Sequence, residues 1–556
     1  MKIALGQANP TVGDIKGNTR HVVRFIEMAK REDADIVALP ELVITGYPPQ
    51  DLLYERQFVR ANKDALRQIA TATNGIVATV GFVDYDERWR LYNAAAVFQD
   101  GDLVHIVHKT LLPTYDVFDE DRYFEPQPPS AIHPVEVTAG GVPVSLGVEI
   151  CEDLWDDAYE TKVTDILCQQ GAHIVINISS SPFHIGKKFE RERLVTEKAK
   201  KNHVPVFLAN LVGGQDELVF DGQSLGADSR GKVILEGPAF EEALVTAEID
   251  LETGAGVPVE RHPYCEVEEM FGALVLGLRD YFRKTGFERA VLGLSGGIDS
   301  SVTACIAAEA LGPDNVIGVS MPSRFSSDHS KTDAELLAEN LGIKFVRIPI
   351  QEIVDKYHET LEGPLEEIRF AYGVDRSQDD PVADENIQPR VRGNCLMDIS
   401  NRLKDLRILV LNTGNKTELA LGYCTLYGDM TGGVGVIGDV SKLEVYRLAE
   451  YINRRAGHEV IPRSCITKRP SAELRENQYD PFDFDIVSPL VDEIVENRQG
   501  RQELIEMGYP PDVVDDVYSR IMRAEYKRWQ APPCIKITRK AFGIGWKMPI
   551  VNKYRG

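Results

Sequence analysis

Between Val291 and Ser301 the chain reads VLGLSGGIDSS: an apolar run, two adjacent glycines, then Asp299-Ser300-Ser301 at the head of an apolar helical segment. Paired glycines let backbone N–H groups converge on one point, and a helix N-terminus adds its own unpaired donors there. A strand feeding a helix through such a turn suits a parallel α/β layer, and the turn suits a pyrophosphate. Asp299 adds a ligand for a hard cation at the same place. No Gly-Lys-Ser/Thr follows at Walker A spacing, and the three ordered glycines of a dinucleotide fingerprint are missing. Gly433 to Gly438 does fit GxGxxG, but YGDMTG precedes it where a buried strand is needed, so it reads as a loop of coincidental spacing.

The surrounding sequence repeats the same rhythm. Met270–Lys284 has a helical period, Ala290–Leu294 reads as a strand, and Val316–Met321, Ser330–Asn340 and Phe345–Ile348 continue as strand, helix and strand. Glu352–Glu385 carries 11 acidic and 3 basic residues and reads as a solvated, mobile loop rather than a lid. Upstream, Ile3–Ala8, Ile36–Leu39, Ile76–Phe82, Ala94–Phe98, Val144–Ile150, Ile174–Ile178 and Val206–Leu211 read as strands. Asn18–Arg31 and Tyr54–Thr73 read as helices, and Gln223–Ile249 as short, partly antiparallel strands broken by glycine. Leu251–Cys265 has two Gly, two Pro and no apolar period, which marks a linker. The resulting division is a first domain over 1–250, a linker over 251–268 and a second domain over 269–556.

The chain has 556 residues, enough for two large cores, and a net charge of 62 − 86 = −24. Such a surface repels nucleic acid and anionic membranes, so neither is an expected partner. The start, MKIALGQANP, turns polar before a signal-peptide core can form, so the expected location is cytoplasmic. None of the 8 cysteines has zinc or redox-pair spacing, and most are expected to be buried as small hydrophobes.

One cysteine reads differently. LPELVITGYPP (39–49), HKTLLPTYDVFDE (108–120) and GVEICEDLW (147–155) each put a reactive side chain just after an apolar run, so Glu41, Lys109 and Cys151 are expected at one edge of a sheet. A thiol that attacks a carbonyl needs a base for its proton and a cation for the oxyanion. Taken singly, these residues are ordinary: a buried Cys is usually inert, and a Glu or Lys usually solvated. His105 and His108, three apart on a strand, point to opposite faces and make no metal pair.

In this order the three segments resemble the nitrilase superfamily, whose members work on carbon–nitrogen bonds through a Glu-Lys-Cys triad. The resemblance implies an α-β-β-α sandwich, with Glu41 as general base, Lys109 as oxyanion stabiliser, Cys151 as the thioester-forming nucleophile and Glu120 orienting Lys109. It also implies that Tyr115, Ser181 and Lys187 hold glutamine, Lys187 standing where some relatives have Arg and lacking its bidentate fork. The SGGxDS turn resembles the ATP pyrophosphatase family, and LNTGNKTE (411–418), YGD (427–429) and KRPSAEL (468–474) resemble NAD+ synthetases of that family. This implies a doubly wound parallel sheet of Rossmann-like type, with ATP held by Gly293, Leu294, Ser295, Gly296, Gly297, Ile298, Asp299, Ser300 and Thr413. Asn386, Glu418 and Lys536 are the implied contacts to deamido-NAD+, and Asp299 and Glu418 the implied magnesium ligands. Pro389 stands where that family often has Ala, a departure that touches only the local backbone.

One half releases ammonia and the other consumes it, which implies the last step of NAD+ synthesis with glutamine, ATP and deamido-NAD+ as small-molecule partners. A sheltered passage for ammonia and a homo-oligomer are further implications. Another adenylated acceptor, a stand-alone amidase and a non-catalytic nucleotide sensor stay open as alternatives.

Overall fold

In the computed structural model, residues 1–261 and 263–554 are described, and they divide into two compact units, Met1–Glu266 and Val267–Gly556. His262, inside the expected linker, lies outside the described residues.

The apolar runs of the first unit become two six-stranded sheets. One has the order β14-β1-β2-β3-β4-β5, with β1 (Lys2–Gln7), β2 (Ile36–Ala38) and β3 (Val77–Tyr85) parallel. The strands β4 (Leu91–Gln99), β5 (Asp102–His108) and β14 (Ala243–Glu248) are added antiparallel. The other sheet has the order β13-β12-β9-β8-β7-β6. Its parallel strands β7 (Val142–Ile150), β8 (Ile174–Ser179) and β9 (Val206–Asn210) are flanked by β6 (Val135–Ala139), β12 (Leu225–Ala227) and β13 (Val233–Glu236). A hairpin, β10 (Val212–Gln215) and β11 (Leu218–Asp221), completes the strands.

Side chains alternate across a strand, so each sheet has two faces to cover. The inner faces meet in one core, where Ile3, Leu5 and Ile36 pack with Val148, Ile150, Ile174 and Ile176. Outside the first sheet, α1 (Ile15–Arg31) and α2 (Arg56–Ala72) set Phe25, Ile26, Leu66 and Ile69 on Val37, Leu39 and Ala78. Outside the second, α3 (Val163–Gln169) and α4 (Lys187–Asn202) set Leu167, Leu194 and Val195 on Val175 and Leu208. The result is the α-β-β-α sandwich that the sequence motifs imply. Each such side chain, fully buried, contributes roughly 1.5–3 kcal/mol.

Helix α4 is the element that periodicity hides. Its sequence, KKFERERLVTEKAKKN, buries Arg191 and Lys198 beside Leu194, Val195 and Ala199. Both cations are paired in the interior, Arg191 with Asp221 and Lys198 with Asp156 at 2.7 Å. Charged residues on the core face erase the apolar stripe that would mark an amphipathic helix.

The second unit opens with α5 (Glu266–Thr285), which starts four residues before the expected Met270 and so inside the stretch read as linker. A five-stranded parallel sheet follows in the order β17-β16-β15-β18-β19, from β15 (Arg289–Gly293), β16 (Val316–Ser320), β17 (Lys344–Arg347), β18 (Ile408–Asn412) and β19 (Val434–Gly435). Order 17-16-15 then 18-19 reverses direction beside β15, the switch point where doubly wound sheets bind ligands beyond their strand ends. Around the sheet run α6 (Ile298–Leu311), α7 (Asp328–Leu341), α8 (Gln351–Tyr372), α9 (Val382–Arg402), α10 (Lys416–Leu421), α11 (Lys442–Ala456) and α12 (Arg463–Thr467).

Three expectations change here. The acidic segment is not a loop, because α8 and α9 occupy most of it. It is solvated as expected, and its charges support the helix through pairs such as Lys356–Glu359 at 2.9 Å and Arg369–Glu366 at 2.6 Å. Pro389, like Pro364, sits inside a helix. Gly433–Gly438 is not wholly a loop, since Val434–Gly435 pairs with β18, and α11 starts only at Lys442. Of the cysteines, Cys151, Cys305, Cys465 and Cys534 are buried, while the others are partly or fully exposed. Among the described residues no helix is long and apolar enough to cross a membrane.

Candidate active sites

In the first unit the structure brings Glu41, Lys109 and Cys151 together, but not at the edge of a single sheet. Glu41 follows β2 and Lys109 follows β5, both in one sheet, whereas Cys151 follows β7 in the other. The correction is one of topology: a sandwich lets strand ends of facing sheets converge. Cys151 is 4 % exposed, has φ +45°, and begins a one-turn helix that ends at Leu154. A left-handed non-glycine backbone carries strain and persists only where its surroundings hold it. Here the Asn177 amide donates to the Cys151 carbonyl at 3.3 Å.

Lys109 is buried with its ammonium between two carboxylates, 2.7 Å from Glu41 Oε1 and 2.8 and 2.9 Å from the oxygens of Glu120. Burial opposes its charge, yet Glu120 and Glu41 outweigh burial and hold its pKa well above the usual lysine range. Asn93 donates one amide to Glu41 at 2.7 Å and Glu120 at 3.3 Å, and the Tyr47 hydroxyl donates to Glu120 at 2.9 Å. The Ser180 N–H donates to the second oxygen of Glu41 at 2.9 Å. The base is therefore fixed from three sides. Burial, with Glu41 next, pushes the Cys151 thiol well up against the pull of Lys109.

Of the expected glutamine contacts, Tyr115 donates its hydroxyl to Glu152 at 3.0 and 3.1 Å, and burial raises its pKa above the usual tyrosine range. Ser181 is buried next to Ser180, its N–H donating to Asn210 at 3.0 Å. The Lys187 ammonium lies 3.7 Å from the centre of the Trp155 ring and 3.3 Å from Glu190, and burial lowers its pKa. His108 pairs with Asp84 at 2.9 Å while His105 stands edge-on to His133, so the two histidines have different surroundings.

Behind the nucleophile lies Glu149, which accepts from Thr164 at 2.9 Å and Asn177 at 3.3 Å. Burial first, and Asp153 second, push its pKa up to about 8. An unfolded glutamate ionises near 4.3, so folding takes up a proton here across about pH 4.3–8 and the unit loses stability as pH rises through that window. Glu149→Gln copies the protonated side chain. Its thermal melting, followed from pH 5 to 8, is expected to fall less steeply with pH than that of the natural protein.

The second unit has a cavity of about 450 Å³ over the C-terminal ends of β15, β16 and β18. Gly293, Leu294, Ser295, Gly297, Ile298, Asp299, Ser300, Asn386, Thr413 and Glu418 line it. Gly296 and Lys536 do not. Gly296 has φ +73°, and a Cβ there would stand 2.2 Å from the Ser330 carbonyl, so only glycine fits between turn and α7. Lys536 is buried and donates to the Thr538 carbonyl at 2.7 Å. Asn386 accepts from Thr425 at 2.6 Å.

Asp299, in the first turn of α6, accepts from Asn415 at 2.8 Å and from Lys442 at 2.6 Å. Glu418 caps α10 reciprocally with Asn415 and lies 3.7 Å from the same Lys442 ammonium. Burial first, then Asp299, push Glu418 up to about 8 against Lys442. Asp299 and Glu418 therefore share one lysine at the cavity wall. Magnesium takes one or two carboxylates and completes its shell with phosphate oxygens and water, so this donor set fits it, although no cluster of three ligand side chains exists among the described residues.

The sequence reading missed Asn93 and Lys442, which folding brings in from a distance to Glu41 and Asp299, and Glu152, Asp153 and Trp155, which lie beside Cys151 in the chain. Lys468, within a quoted motif but given no role, donates to the Gly296 carbonyl at 2.7 Å and to Ser330 at 2.9 Å. Glu152, Asp153 and Trp155, all within GVEICEDLW, carried a signal in their closeness to Cys151.

The Carbon-nitrogen hydrolase family profile matches residues 2–258, and the NAD synthase profile matches residues 270–531. Glutamine-dependent NAD(+) synthetases of Synechocystis sp. and Thermotoga maritima are 42 % and 40 % identical, the alignments covering 99 % and 100 % of this chain and 99 % of each relative. The solved glutamine-dependent NAD+ synthetase of Acinetobacter baumannii, in complex with adenosine diphosphate, superposes with a TM-score of 0.77 at 36 % identity, over 99 % of this chain and 98 % of that one. Matched by both family profiles and, along almost its whole length, by these relatives, the chain belongs to the glutamine-dependent NAD+ synthetase family.

Proposed function

We propose that the protein makes NAD+ by ATP-dependent amidation of deamido-NAD+, releasing AMP and diphosphate, with ammonia drawn from L-glutamine. The observation that carries this reading is the presence, in one chain of this family, of a buried Glu-Lys-Cys set and a cavity lined by the glycine turn, Asp299 and Glu418.

In the first unit Glu41 takes the thiol proton as Cys151 attacks the side-chain amide of glutamine. Charge develops on the carbonyl oxygen, and the Lys109 ammonium, already desolvated and oriented by Glu120, stabilises it at little reorganisation cost. The proton held by Glu41 passes to the leaving nitrogen, ammonia departs, and water then cleaves the thioester to give glutamate. Tyr115, Ser181 and Lys187 hold the amino-acid end of the substrate.

In the second unit the Ser295–Ser301 turn and Thr413 bind ATP, with Lys468 bracing the turn through the Gly296 carbonyl. Asp299 and Glu418 would hold magnesium, which supplies neutralising charge to the phosphates when bound. The nicotinate carboxylate attacks the α-phosphorus, diphosphate leaves, and ammonia displaces AMP from the adenylate to form the amide. Asn386 and Glu418 contact deamido-NAD+ in this scheme, with Lys536 as a further contact.

Incubation with ATP, magnesium and deamido-NAD+ is expected to yield NAD+ with either glutamine or ammonium as nitrogen source. Hydrolysis of glutamine without NAD+ from either source would overturn the synthetase half.

A further inference from the structure

Asp153 belongs to no catalytic set described above, yet it makes three hydrogen bonds to backbone on both sides of the reaction centre. It is the third residue of the one-turn helix that Cys151 begins, and it is 1 % exposed. Its Oδ2 accepts from the N–H of Ile150, the residue just before the nucleophile, at 3.0 Å. Its Oδ1 accepts from the N–H groups of Thr110 and Leu111, the two residues just after Lys109, at 3.0 and 2.8 Å. These segments leave different sheets, so strand pairing does not set their separation.

We infer that Asp153 is a positioning residue, whose carboxylate joins the Lys109 segment to the Cys151 turn and so fixes the oxyanion-stabilising ammonium relative to the attacking sulfur. Three considerations support this. Burial pushes the Asp153 pKa up to about 7 while the N–H groups of Ile150, Leu111 and Thr110 pull it down, so the three bonds favour the ionised acceptor. The bonded backbone flanks the two reacting groups directly, so little chain slack intervenes. Cys151 holds a left-handed backbone, which relaxes unless its neighbours prevent it. Glu41 is held separately, through Ser180, so the joint concerns lysine and cysteine only.

Asparagine is the informative replacement. Its amide oxygen can still accept from Thr110 and Leu111, but its NH₂ would then face the Ile150 N–H, donor against donor. One arm of the joint is lost at almost unchanged volume.

The inference rests on the triad reading, and the test keeps the two apart. In the full-length protein, folded enzyme is quantified from the amplitude of its cooperative melting and glutamine hydrolysis is expressed per folded molecule. For Asp153→Asn, kcat per site is expected to fall about 30-fold or more, the order that a misplacement of about 1 Å costs. KM for glutamine should stay within about threefold, because the residues holding the substrate are untouched. Ammonium-supported NAD+ formation should be unchanged. A per-site kcat within threefold of wild type, or a rise in KM at constant kcat, overturns the inference. Should the asparagine variant lose its cooperative melting, Asp153→Glu, which keeps the charge but lengthens the reach, is held to the same expectation. Amide exchange in the unaltered protein adds a readout that needs no variant: Thr110, Leu111 and Ile150 should all exchange slowly, and fast exchange at Thr110 and Leu111 refutes the joint. A wild type that does not hydrolyse glutamine would instead refute the triad reading.

Discussion

Replacing Cys151 by alanine is expected to abolish glutamine-supported NAD+ formation, by about 10⁴-fold or more, while ammonium-supported formation continues at close to the wild-type rate. The size follows from removing the nucleophile, since the remaining donors and Lys109 can polarise an amide but cannot form a thioester. The selectivity follows from the division of labour, because Cys151 lies in the unit Met1–Glu266 and the ATP cavity in the unit Val267–Gly556. The measurement is NAD+ production with each nitrogen source in turn. Loss of activity with both sources would show that the variant disturbs more than the glutaminase site. Retention with glutamine would remove Cys151 from the mechanism.

The complementary change is Asp299→Asn. It is expected to lower NAD+ formation by about 10³-fold with glutamine and with ammonium alike, while glutamine hydrolysis persists. Asp299 is the one carboxylate at the head of the phosphate turn, and it also holds the Lys442 ammonium and the Asn415 amide. Asparagine keeps the shape and removes the charge, so a cation at the phosphates loses a ligand and Lys442 loses its closest counter-ion. The penalty for losing such charge stabilisation is roughly 2.7–4 kcal/mol in transition-state free energy. A variant that forms NAD+ from ammonium at a tenth of the wild-type rate or better would show that Asp299 is not essential at the turn.

What could be read in the sequence divides along a physical line. Cys151, Lys109 and Glu41 were legible because each closes an apolar run and the sheet must end there. The SGGxDS turn was legible because Gly296 has no substitute against Ser330. Parallel strands β15 and β16 were legible because they are largely buried and read as continuous apolar runs, whereas β17, at the edge of the sheet, is largely exposed. What escaped is the set of residues whose meaning depends on distant partners. Lys442 is an ordinary helix-opening residue until folding sets it on Asp299, 143 positions away. Asp153 looks like a surface acid in an acidic stretch until its carboxylate meets the backbone at 110 and 111. Helix α4 hid because its core face carries Arg191 and Lys198, whose partners Asp221 and Asp156 lie in other elements. The acidic segment misled for the opposite reason: charge density reads as a loop, although charges spaced three and four apart stabilise a helix that remains wet.

The high pKa of the Cys151 thiol has a chemical consequence for the idle protein. Oxidants such as peroxide attack thiolates far faster than thiols, and the first product, a sulfenic acid, can progress to forms that no thiol restores. Burial first, and the neighbouring Glu41 second, disfavour an anion at sulfur. The nucleophile therefore waits in its unreactive form and is ionised only as it attacks. A cysteine needed for every glutamine turnover is thereby spared oxidative loss during the intervals when no glutamine is bound.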